Sequence, residues 1–304
     1  MKPFRILCIW LLALALFGCA SSPKVETPPA PAPDAPPVVR AKPAPRIALA
    51  LGGGAARGFA HVGVIKALEA QGIHVDIVVG TSAGSVVGAL YASGIGGFEL
   101  QRLALAMDDG AAFSDWSLPD RGIIKGEALQ NYINTALGNR PIEKMQRTLA
   151  IVATDLQSGE AVVFRNGNAG MAVRASSAVP GLFQPVRING HDYVDGGLVS
   201  PVPVRVARSL GADLVIAVDI SSKPRFAKTA SSLDVLLQTF TIMGQAIAAH
   251  ELPEADLVIR PNVDGVSGTD FQARHLAIME GERALSESLS KLRAKLADVA
   301  AKLR

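Results

Sequence analysis

Apolar residues along the chain fall into short unbroken runs, separated by longer stretches in which they recur every three or four positions. The first run, Ile47-Ala48-Leu49-Ala50-Leu51, stops at Gly52-Gly53-Gly54. Five apolar residues without polar alternation predict a strand covered on both faces. Residues 57–71 carry a helical pattern, and Gly72 stands where a C-terminal cap is expected. A second buried strand is predicted over 75–79 and a second helix over 82–91, stopped by Gly94. Further strands are predicted over 149–154, 161–164, 214–218 and 257–259, with helical patterns near 126–137, 200–210 and 233–250. Buried strands alternating with helices predict an α/β fold whose sheet is covered on both faces. No internal repeat and no second domain is evident. Near the end, Leu285, Leu289, Leu292, Leu296, Val299 and Leu303 form a seam shorter than three heptads. It predicts a C-terminal helix over 285–304 lying on the domain, with dimerisation or membrane contact as alternatives.

The first 45 residues follow different rules. Lys2 and Arg5 precede an apolar run over 6–17, too short for the roughly 20 residues of a membrane span. Leu16-Phe17-Gly18-Cys19 resembles the lipobox of bacterial lipoproteins, although Phe17 departs from the small or β-branched residue usual there. That resemblance implies a signal peptide over 1–18, a lipid on Cys19, and a place in the bacterial envelope. Ser21, two beyond the cysteine, favours the outer membrane facing the periplasm; an ordinary signal peptide or an uncleaved anchor is the alternative. Nine prolines at 23, 28, 29, 31, 33, 36, 37, 43 and 45 mark residues 19–45 as a semi-rigid tether. At about 3.1 Å per residue it could reach on the order of 80 Å.

Composition narrows the chemistry. Of 304 residues, 49% are hydrophobic and 19% charged, which excludes a disordered chain. The net charge of +3 falls to +1 once Lys2 and Arg5 are set aside, and aromatics are only 5%, so no nucleic-acid partner is expected. The two cysteines are Cys8 and Cys19. With one in the signal peptide and the other lipidated, no thiol remains for a disulfide, a thiolate nucleophile or a zinc site.

Three segments carry candidate chemistry. Gly80-Thr81-Ser82-Ala83-Gly84 is a G-x-S-x-G motif between an apolar strand and a helix. In that context a tight turn exposes the serine hydroxyl at a helix N-terminus, so Ser82 is a candidate nucleophile, with a purely structural turn as the alternative. Gly52 to Gly58, with Arg57 among them, can aim backbone N–H groups at an anion. A dinucleotide fits poorly, because Arg57 stands at the third glycine position and Asp76 opens a strand. A Walker loop lacks its Gly-Lys-Ser/Thr, so an oxyanion is the better occupant. For the base, His250 and His275 come late in the chain but in no Gly-rich loop, and His61 lies too near the glycine loop. Among Asp155, Asp195 and Asp219 at strand ends, only Asp195 precedes two glycines.

Together these segments resemble the patatin-like phospholipases, Ser/Asp acyl hydrolases, and within them the bacterial branch related to neuropathy target esterase. The likeness covers roughly 46–222 and extends more weakly to about 284. It lies in the glycine loop 52–58, the elbow 80–84, Asp195-Gly196-Gly197, and the block 175–183, Ala-Ser-Ser-Ala-Val-Pro-Gly-Leu-Phe. Ala55 and Ser200 depart from residues frequent in the family. The resemblance implies a three-layer α/β/α domain over 46–284 with a mainly parallel sheet. It implies Ser82 as nucleophile, Asp195 as base, oxyanion donors from Gly53, Gly54 and Ala83, and support from Gly52 and Arg57. It needs neither metal nor organic cofactor, and its substrate would be a phospholipid, lysophospholipid or other lipid ester. A Ser-His-Asp esterase using His250 or His275, and a tethered binding protein without turnover, are the alternatives. Head group, chain length, oligomeric state and the role of apolar residues near 95–125 as a lid stay open.

Overall fold

The apolar run Ile47–Leu51 is strand β1, buried along its whole length, in a computed structural model that describes residues 44–107, 115, 121–223 and 230–303. The expected signal peptide, Cys19 and nearly all of the Pro-rich tether lie outside the described residues, as does much of 95–125. The other strands are β2 (Ile77–Thr81), β3 (Thr148–Asp155), β4 (Ala161–Phe164), β5 (Val186–Ile188), β6 (His191–Asp195), β7 (Leu214–Val218) and β8 (Leu257–Ile259). They form one sheet in the order β5-β6-β3-β2-β1-β7-β8, with β4 also paired to β3. The run from β3 through β2, β1 and β7 to β8 is parallel, and β4, β5 and β6 are antiparallel. The α/β sheet expected from the unbroken apolar runs is therefore present, and it is mainly parallel as the family resemblance implies.

Helices account for both covered faces. They are α1 (Phe59–Ala70), α2 (Ala83–Ala92), α3 (Gly97–Ala106), α4 (Glu127–Ala136), α5 (Ala169–Ser176), α6 (Val204–Ser209), α7 (Ser232–Glu251) and α8 (Arg274–Lys302). Because strand side chains alternate, Leu49, Leu51, Val78, Ile151 and Ile216 meet the core shared with α1, α2, α4 and α8. Ala48, Ala50, Val79, Ala150 and Ala217 face the other core, closed by Val204 and Ala207 of α6 and Ala248 of α7. The second face carries more alanines from its strands, beside Ile77, Val79, Val152 and Val215, than the first.

The C-terminal helix differs from expectation. It begins at Arg274, so the expected boundary at 284/285 falls inside it. Its first half packs on α1 through Ala277, Ile278, Gly281 and Ala284. A Cβ on Gly281 would lie 2.0 Å from the Ala60 carbonyl oxygen, and one on Gly63 1.9 Å from that of Ile278. Small residues let the two helices touch backbone to backbone, and a search for a leucine seam passes over such a contact.

Sheet register brings Ser82 and Asp195 together. Val152 pairs with Thr81 of β2 on one edge of β3 and with Val163 of β4 on the other. One residue on, Ala153 pairs with Val162 of β4 and with Asp195 of β6. β6 thus takes over the edge that β2 leaves. The end of β6 arrives beside the end of β2, where Ser82 begins.

Candidate active site

Ser82 follows β2 directly and precedes α2, with φ 52° and ψ −123°. This is a conformation that residues with a Cβ rarely hold, and the neighbours explain how it persists. A Cβ on Gly80 would lie 2.4 Å from the Gly84 carbonyl oxygen, and one on Gly84 2.1 Å from that of Leu51. Only glycines allow α2 to start this close to the sheet. Ser176, fully buried at the end of α5, completes the clamp. Its Oγ accepts the Ser82 N–H at 2.8 Å and donates to the Val152 carbonyl at 2.6 Å.

Ser82 Oγ donates to Asp195 Oδ2 at 2.6 Å. The other carboxylate oxygen, Oδ1, accepts the Gly197 N–H at 2.7 Å across the turn that the two glycines permit. Asp195 is fixed through its backbone as well: its N–H donates to Ala178 O at 3.0 Å, and its carbonyl accepts Thr154 Oγ1 at 2.8 Å. The block 175–183 therefore holds both members of the pair, Ser176 the serine and Ala178 the aspartate. Burial raises the Asp195 pKa from 3.8 to about 6, against the opposing pull of the Ser82 and Gly197 hydrogen bonds. At neutral pH this carboxylate is ionised, and it is a stronger base than an exposed aspartate.

The glycine loop lies over the serine: a Cβ on Gly53 would stand 3.2 Å from Ser82 Cβ. Gly53 itself offers no free donor, because its N–H is taken by the Pro201 carbonyl at 2.9 Å. This corrects the expectation that Gly53 donates to an oxyanion. Its role is to let the loop approach. The N–H groups of Gly54 and Ala83 have no acceptor among the described residues, and neither does that of Ala55, held at φ 51°. Arg57 braces the loop, its Nε donating to the Gly54 carbonyl at 3.0 Å. Burial lowers its pKa, partly offset by Asp264 and Asp219. Gly52 is pinned at both ends, donating to Val218 O at 3.1 Å and accepting from the His61 ring.

His61 is a contributor that sequence reasoning set aside. It is fully buried, and its Nε2 lies 2.8 Å from Gly52 O. Burial pushes its pKa down to about 4, so the ring is neutral and Nε2 carries the proton it donates. The pattern of a helix residue ten positions after a strand end gave no sign of this contact. His250 and His275 are exposed at the end of α7 and the start of α8. Neither is a hydrogen-bond partner of Ser82. Asp155 is engaged by His191 at 2.8 Å, and Asp219 by Arg260 at 3.2 Å.

Comparison with known proteins bears on the family and the fold. Residues 49–208 match the model of the family described as patatin-like phospholipase. An uncharacterised NTE family protein of Mycobacterium tuberculosis is 38% identical over 184 residues, 60% of this chain and 51% of its own length. Human patatin-like phospholipase domain-containing protein 6 is 36% identical over 184 residues, 58% of this chain and 13% of its own. The chain thus matches about half the length of the mycobacterial relative and a much smaller share of the human one. Among solved structures, VipD from Legionella pneumophila has a similar fold, with a TM-score of 0.50 and 16% identity, covering 82% of this chain and 67% of VipD. The ExoU–SpcU complex from Pseudomonas aeruginosa gives a TM-score of 0.50 at 17% identity, covering 84% of this chain and 53% of the matched one. The matched segment carries the glycine loop, the strained Ser82, Asp195 and the block that holds them both, and on that match the chain belongs to the patatin-like phospholipase family.

Proposed function

We propose that this protein is a serine acyl hydrolase that cleaves carboxylic ester bonds of lipids, with phospholipids and lysophospholipids as the substrate class. The observation that carries the reading is the 2.6 Å hydrogen bond from Ser82 Oγ to Asp195 Oδ2 at a strained strand-to-helix turn.

As Ser82 Oγ attacks the ester carbonyl carbon, its proton passes to Asp195 Oδ2, and the carbonyl π electrons move onto oxygen. The resulting oxyanion faces the N-terminus of α2, where the Ala83 N–H and the dipole favour negative charge. Gly54 and Ala55 N–H groups supply further donors from the loop. Collapse of the tetrahedral adduct breaks the bond to the alcohol oxygen, which takes the proton back from Asp195 and leaves an acyl-serine. Water then attacks that acyl group, giving its proton to Asp195. The second tetrahedral adduct returns the proton to Ser82 Oγ and releases the fatty acid. The pair suffices because burial raises the basicity of the aspartate and the serine is already held in place. The lipobox-like residues 16–19 support a lipid-anchored location in the bacterial envelope, close to such substrates.

The test is hydrolysis of short and long p-nitrophenyl esters and labelled phospholipids by the unsubstituted chain, Ser82→Ala and Asp195→Ala. Loss in both variants, on the order of 1,000-fold or more, is expected. An Asp195→Ala protein that keeps its activity while Ser82→Ala loses it would return the base to a histidine.

A further inference from the structure

Helix α7 has its apolar side turned outward. Val235, Leu236, Ile242 and Met243 are 53%, 36%, 52% and 45% exposed. With Thr239 and Ala246 they form a stripe at helical spacing, and no charged residue occurs between Val235 and Ala249. Residues 232–254 have a mean hydropathy of 1.2 over their most apolar 18-residue window, of which 6% is buried. The helix is nonetheless fixed to the domain. Glu251 at its C-terminal end is buried, and accepts Ser200 Oγ at 2.9 Å and the Arg205 N–H at 3.1 Å. It therefore lies along the body and does not leave it to cross a membrane.

Its position matters as much as its surface. Leu236 and Leu233 lie against Gly181, in the block that holds Ser82 and Asp195. Gly244 lies near Pro201, whose carbonyl holds the Gly53 loop, and α7 touches the turn Gly196–Leu198 after Asp195.

We propose that the outward face of α7 is an interfacial docking surface that seats in the headgroup and upper acyl region of a phospholipid bilayer beside the catalytic pair. The proposal rests on the lipid-ester reading above and deepens it. A second copy of the chain is the weaker occupant. The stripe from 235 to 246 is about 18 Å long and one helix wide, roughly 200 Å². A stable dimer needs about 800 Å² on each partner. A bilayer has no such requirement, because one apolar helix face embedded at the headgroup boundary is a complete contact. The chain before β1 agrees with this. Arg46 leads into β1 at the end of the sheet away from Ser82, opposite the end where α7 lies against Gly181 and Pro201.

The experiment uses the chain from residue 19 onward carrying Cys19→Ala, so that binding reports neither a lipid anchor nor the apolar run 6–17. Ile242→Lys with Met243→Lys is compared with the unsubstituted stripe on mixed phosphatidylethanolamine and phosphatidylglycerol vesicles, and on a soluble short-chain p-nitrophenyl ester. Vesicle binding and vesicle turnover should fall about tenfold or more while the soluble ester rate stays within about twofold. Unchanged vesicle binding overturns the proposal, as does a dimer that the lysines dissociate while vesicle binding persists. If the lysine variant also loses the soluble ester, Ile242→Trp decides: brominated acyl chains should quench its fluorescence, and absence of quenching overturns the proposal. Loss of vesicle binding in a chain that hydrolyses no ester at all would retain the docking surface and refute the hydrolase reading.

Discussion

Replacing Asp195 with asparagine should inactivate the protein and stabilise it. The carboxylate is 6% exposed and its pKa rises from 3.8 in an open chain to about 6 in the fold. That rise means the folded protein holds the Asp195 proton more tightly than the unfolded chain does. Below about pH 4 the group is protonated in both states and contributes no difference. Between about 4 and 6 the unfolded chain ionises first, so stability falls as pH rises. Above about 6 the full penalty is present, about 3 kcal/mol for a shift of this size. An asparagine carries no charge to bury, and its amide oxygen can still accept from Ser82 Oγ or the Gly197 N–H. At pH 7.5 the variant should therefore melt on the order of 5–10 °C higher, while losing about 100-fold to 10,000-fold in turnover with its general base. The assay is chemical and thermal denaturation of both proteins from pH 4 to 8, together with ester hydrolysis. The reasoning fails if the stability gap between them is constant across that range, or is widest at the acidic end.

Three further outcomes follow from the same contacts. In the unsubstituted protein kcat/KM for a neutral ester should fall about tenfold per pH unit below about 6, as Asp195 takes up its proton; a pH–rate profile reads this directly. Ser176→Ala removes both the acceptor for Ser82 N–H and the donor to Val152 O. It should lower kcat by about tenfold or more with little change in KM, and lower stability by about 1–3 kcal/mol, as steady-state kinetics and urea melts would show. Gly281→Ala would force a Cβ to 2.0 Å from Ala60 O and separate α8 from α1. It should cost about 1–3 kcal/mol or more in denaturant melts, while activity per folded molecule stays unchanged.

What the sequence made legible follows from how local each feature is. β1, β7 and β8 were bounded by their apolar runs as observed, because burial on both faces leaves little room for polar residues, and the run of β4 marked its bounds as well although that strand is only half-buried. The strand expected over 75–79 instead runs from Ile77 to Thr81, since Asp76 turns its carboxylate to cap Ile47 N at 2.8 Å and the ladder starts after it. Helices α3 and α5 were not expected. α5 buries mainly Ala and Gly, which give little hydrophobic period, and its clearest mark is Asn168 accepting Met171 N–H at 2.7 Å as an N-cap. Ser82 and Asp195 could be picked out because each sits in a glycine-marked turn. The donor role of Gly53 was misread because its N–H is claimed by Pro201, far along the chain and unseen in any local motif. Ser176 and His61 act through similar distant contacts: the block around Ser176 stood out, while the roles of both residues did not.

The central claim is that Ser82, activated by Asp195, takes the acyl group. Its most direct test is intact-mass analysis of the protein quenched during turnover of a long-chain p-nitrophenyl ester, followed by peptide mapping. The account predicts one acyl adduct on the peptide containing Ser82, absent in Ser82→Ala and formed far more slowly in Asp195→Asn. Turnover with the acyl group on another residue, or undiminished in Ser82→Ala, would contradict it.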